Sequence, residues 1–141
     1  DDQLDSRDIN LLAAAIRDEN DSSFYDINGD GAVDNVDHHV WVSDVKRTYF
    51  GDANFDGEFN STDLVDVFAA GQYEDDKAMN STWATGDWNG DGEFDSSDMV
   101  TAFQDGGYEM GPKLVVSAVP EPSGGLLLML LALMVVMRGR R

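Results

Sequence analysis

One twelve-residue pattern occurs three times in this 141-residue chain and fixes how those stretches can turn. In Asp87–Asp98, oxygen-bearing side chains stand at positions 1, 3, 5, 9 and 12, with glycine at position 6. Asp26–Asp37 and Asp52–Asp63 repeat the arrangement. The last two copies belong to a longer duplication, because Gly51–Glu74 recurs as Gly86–Glu109 with 14 of 24 positions identical at an offset of 35. A match of that length at one offset is a repeat, and each unit is too small to bury an apolar face alone. Charge adds a second constraint. The chain holds 28 acidic against 9 basic residues, a formal net charge of -19. Such a chain repels itself unless cations gather its carboxylates, and it is a poor partner for nucleic acid.

The spacing is that of a calcium loop of the EF-hand kind, in which several oxygens from a short segment converge on a hard cation. The candidate ligands of the first loop are Asp26, Asn28, Asp30, the Ala32 carbonyl, Asp34 and Asp37. Those of the second are Asp52, Asn54, Asp56, the Glu58 carbonyl, Asn60 and Asp63. Those of the third are Asp87, Asn89, Asp91, the Glu93 carbonyl, Asp95 and Asp98. Gly31, Gly57 and Gly92 allow the sharp turn. Position 12 is Asp in every copy, one methylene shorter than the usual Glu, which contracts the loop or makes that ligand monodentate. Asn60 lowers the charge of the second loop by one. Aligned in the same way, Asp1–Asp8 is the back half of a fourth loop, expected to be empty, so the chain reads as the tail of a longer protein.

A helix is expected after each loop. Ile9, Leu12, Ala13 and Ile16 fall at helical spacing, as do Val40, Trp41 and Val45; Leu64, Val65, Val67 and Phe68 follow the second loop, with Gly71 as a C-terminal stop. The fold class is therefore mainly α, built of paired loop–helix repeats. The paired units are expected to enclose Phe59, Val65, Phe68, Phe94, Val100, Phe103, Tyr73 and Tyr108. His38 and His39 are adjacent, so they point about 100° apart on a helix and make a poor chelate; they read as exposed first-turn histidines. Asn60-Ser61-Thr62 and Asn80-Ser81-Thr82 are formal glycosylation acceptors. The chain divides into 1–50 (the cut repeat and first complete unit), 51–111 (the duplicated pair), 112–123 (a linker) and 124–141.

The last two stretches change character. Val119-Pro120-Glu121-Pro122-Ser123 is stiffened by its prolines, and Leu126–Met137 is wholly apolar before Arg138-Gly139-Arg140-Arg141. A C-terminal hydrophobic helix is expected there. It is short for a bilayer, but with terminal arginines suited to the cytoplasmic side it would engage the membrane.

The repeated Asp-x-Asn-x-Asp-Gly loop with Asp at position 12, one following helix and no entering helix, resembles the dockerin type I repeat over roughly Asp26 to Gly111. Val-Pro-Glu-Pro-Ser, an apolar run and a basic end together resemble the PEP-CTERM sorting signal. The first resemblance implies calcium as ligand and, through Ser61-Thr62 and Ser96-Ser97, contact with a cohesin; Asn35-Val36 departs from that pattern. The second implies export to the cell envelope or matrix, transient anchoring in the inner membrane and recognition by an exosortase-type peptidase.

Three functions follow as candidates. The first is a calcium-stabilised, non-catalytic module carrying a sorting tag, and the alternative is a docking module that attaches an upstream enzyme to a scaffold. A glycosidase working through paired carboxylates is disfavoured, because nearly every Asp already has a place in a loop.

Overall fold

The computed structural model describes residues 3–113. Four α-helices form there: α1 (Ser6–Arg17), α2 (Asn35–Val40), α3 (Ser61–Ala70) and α4 (Ser96–Gln104). A π-helical segment, Trp41–Lys46, continues α2, and a 3-10 turn spans Trp83–Thr85. The expected fold class needs correction. No strand forms among the described residues, and no helix there is long and apolar enough to cross a membrane. The hydrophobic helix expected over 124–141 and the Val119–Ser123 motif lie outside the described residues.

Each α-helix starts with the same device. Asp5, Asp34, Asn60 and Asp95 are N-caps, and Asp8, Asp37, Asp63 and Asp98 three residues later bond back to the N-cap N–H, each at 2.9 Å. This reciprocal box satisfies two donors that a helix start would otherwise leave unpaired. Its presence at Asp5–Asp8 gives the N-terminal half-repeat the same helix-starting end as the complete loops. α3 stops at Gly71, in the left-handed region (φ 71°), as its sequence position predicts.

The duplicated units face each other about a pseudo-twofold arrangement. Phe59 bridges to Tyr108 and Phe94 to Tyr73, with Glu109 N–H donating to Phe59 O (2.8 Å) and Glu74 N–H to Phe94 O (2.9 Å). The position-8 residues thus pair with the segment after the other unit's helix, and not with each other. Two aromatic triplets, Phe59–Phe103–Tyr108 and Phe94–Phe68–Tyr73, have centroids 5.1–5.5 Å apart. Trp88 lies 5.8 Å from both Phe59 and Phe94. Its repeat equivalent is the small, buried Ala53, so one indole fills a centre that two could not share.

The enclosure expected for the pair is only partly observed. Phe59 and Phe94 are buried, but Val65 and Val100 are 66% and 52% exposed, and Phe68 and Phe103 are exposed as well. The helices meet the core through Val67 and Ala102 instead, because the aromatic segments already fill the space between the units. His38 is also corrected: it is 3% exposed, packed against Phe50 and Trp83. Buried residues from Ile9 to Ala102 form one cluster, so the stretches 1–50 and 51–111 share a core.

Candidate metal centres

The three loops close through the same backbone-to-side-chain bonds. The position-1 carboxylates of Asp26, Asp52 and Asp87 accept from the glycine N–H at position 6 (Gly31, 3.0 Å; Gly57, 2.9 Å; Gly92, 3.0 Å). The position-12 carboxylates reach back to the front of the loop. Asp37 Oδ1 accepts from Ile27 and Asn28, Asp63 Oδ1 from Ala53 and Asn54, and Asp98 Oδ1 from Trp88 and Asn89. At position 3, Asn28, Asn54 and Asn89 each accept from the N–H at position 5 at 2.8 Å. The position-5 carboxylates of Asp30, Asp56 and Asp91 accept from position 7 at 2.9–3.0 Å. Position 9 is the N-cap in each case, so Asp34, Asn60 and Asp95 hold a helix start as well as a ligand position.

Every sequence-predicted side chain therefore turns toward its own loop. They do not draw together tightly: among the described residues no three His, Cys, Asp or Glu side chains form a group that could hold a metal ion. The carboxylates spend their oxygens on internal N–H donors. In the first and third loops the Asn amide donates to the position-5 carboxylate at 2.9 Å, a contact that a cation between them would replace. The donor set still fits a hard cation in kind and order. Among the described residues, the carbonyls of Ala32, Glu58 and Glu93 accept no hydrogen bond, which leaves one open oxygen at position 7 of each loop.

Electrostatics separate the loops. Burial pushes Asp87 up to about 7, and the Asp98 and Asp91 carboxylates push it further the same way. Burial raises Asp98 to about 6 against three backbone N–H bonds. Asp52 rises to about 6 for the same reason, although Thr48 and Gly57 donate to it. Buried carboxylates raised by one another are those that gain most from a cation.

Three contributors were not foreseen from the sequence. The buried Thr48 hydroxyl donates to Asp52 Oδ2. Trp83, in the same register four residues ahead of the third loop, donates its indole N–H to Asp52 O at 2.7 Å. Arg17 donates to Gly90 O at 2.7 Å and lies 3.8 Å from Asp87 Oδ2. The shared register of Thr48 and Trp83 was a readable signal; Arg17, more than seventy residues from its partner, left none. Ser61-Thr62, Ser96-Ser97 and Asn35-Val36 all lie exposed on helix first turns, with Ser97 Oγ held by the Asn89 amide at 2.7 Å.

No family model, curated protein or solved structure matches the chain.

Proposed function

We propose that this chain is a non-catalytic, calcium-binding module with three sites, in loops 26–37, 52–63 and 87–98. The observation that carries the reading is the recurrence, in all three, of one oxygen set around a position-1 carboxylate bracketed by the position-6 glycine N–H. A bound calcium ion would supply the positive charge that the clustered carboxylates lack. The chain's own part is to hold these oxygens on short loops, each tied to a helix start. Position 12 supports both functions, since its carboxylate caps the helix and closes the loop. The reading extends to an exported protein of the cell envelope or matrix, on the resemblance of Val119-Pro120-Glu121-Pro122-Ser123 to a sorting motif.

Calorimetric titration of the chain with calcium tests the proposal. About three equivalents are expected to bind, and Asp30→Asn, Asp56→Asn and Asp91→Asn should each remove or weaken one. Absence of heat at millimolar calcium would remove the reading.

A further inference from the structure

The last turn of α1 belongs to the N-terminal half-repeat, yet it meets the third loop. Arg17 Nη1 donates to Gly90 O at 2.7 Å and stands 3.8 Å from Asp87 Oδ2, with 27% of the arginine side chain and 4% of the aspartate side chain exposed. Gly90 is enclosed from two other directions: a Cβ there would stand 3.3 Å from Ala13 Cβ and 3.4 Å from His38 Nε2. The guanidinium is thus held by backbone and carboxylate together, where Gly90 of the loop packs against α1 and α2. Among the described residues, neither Asp26 nor Asp52 makes a comparable ion pair.

We infer that Arg17 is a positioning residue for loop 87–98, which steadies the loop when it holds no cation and opposes the arrival of one. The inference rests on the calcium reading above. Its logic is linkage: a charge that favours the cation-free loop over the loaded one lowers affinity by the same factor. Arg17 sets a positive charge beside Asp87 while the loop lacks a metal. A divalent ion among the same oxygens then meets a like charge a few ångströms away. The third loop, though the most acidic in side-chain donors together with the first, is thereby restrained by a residue from outside its own repeat.

The amides of Gly31, Gly57 and Gly92 each donate to one loop's position-1 carboxylate, so they report the three loops separately in a calcium titration followed by NMR of the full chain. In Arg17→Gln the Gly92 midpoint is expected to fall roughly fivefold at low ionic strength, while those of Gly31 and Gly57 stay put. Arg17→Lys, which keeps the charge, should stay close to the parent chain. Without calcium, Arg17→Gln should also melt at a lower temperature than the parent. An unchanged or raised Gly92 midpoint in Arg17→Gln, or a lysine variant that behaves like the glutamine one, overturns the inference. If none of the three amides moves in the parent chain, the calcium reading itself fails and takes the inference with it.

Discussion

Asp37, Asp63 and Asp98 occupy one register and accept the same three backbone N–H groups, yet their acidities diverge. Burial raises Asp37, but bonds from Asp34, Asn28 and Ile27 outweigh it, and its carboxyl ends below the ordinary value. At Asp63 and Asp98 burial wins over equivalent bonds. Residues 28–32 of the first loop stand in solvent and only Ile27 and Val33 touch the core, whereas the other two loops insert Phe59 and Phe94 into it; Asp37 is as covered as its counterparts but by a thinner layer of protein. A pH dependence follows. Asp52, Asp87 and Asp98 ionise at about 6, 7 and 6 in the folded chain, above the ordinary carboxylate value of 3.8. The folded form therefore holds more protons than the unfolded one between about pH 4 and 7. Stability contributed by these groups is full below that window and lost as pH rises through it. His38, lowered to about 4 by burial first and by His39 second, works in the opposite direction, one group against three. In chelator, the melting temperature should fall between pH 5 and 8. In millimolar calcium, which needs the ionised carboxylates, that fall should disappear or reverse. A chelated chain that gains stability up to pH 8 would contradict this assignment.

At the scale of the element, the loop–helix unit was largely legible in the sequence. Position 9 is an N-cap and position 12 its reciprocal partner, so one short pattern encodes both a turn and a helix start. Gly71 ended its helix where the residue type indicates. What the pattern could not convey was which helical face turns inward. Val65 and Phe68 have the apolar spacing of a buried stripe, but the buried face is set by Phe94 arriving from the other unit and by Tyr73 from the segment after the same helix. His38 misled for a similar reason, since its polarity suggested solvent while Trp83 and Phe50 cover it from elsewhere in the chain. The glycine ahead of each paired loop carries the element's sharpest test. Gly86 sits at φ 113°, and a Cβ there would stand 2.4 Å from the Phe94 ring; Gly51 at φ 99° meets Phe59 at 2.6 Å. Gly86→Ala should cost about 3 kcal/mol in denaturant unfolding, from a strained backbone and an overfilled core. Gly106→Ala, where a Cβ would meet nothing within 4 Å, strains only the backbone and should cost clearly less. Equal losses at the two positions would mean that the Phe94 contact is not a packing constraint.

For the molecule as a whole, two opposed quantities are balanced. One continuous apolar cluster joins the N-terminal half-repeat, the first loop's helix and the duplicated pair. Against it stands a net charge of -19, with the position-1 and position-12 carboxylates of the second and third loops, Asp52, Asp63, Asp87 and Asp98, at 5% exposure or less. Removing charges from water without partners is costly, and internal N–H donors meet only part of that cost. A cation held by the folded chain alone would supply the rest, and its stabilisation would grow with concentration by mass action. The direct measurement is thermal unfolding of the full chain at pH 7.5, followed by near-ultraviolet circular dichroism of its tryptophans, in calcium and in chelator. The account predicts a melting temperature at least about 10 °C higher in millimolar calcium, rising with calcium concentration. Superimposable melting curves in calcium and in chelator would contradict it.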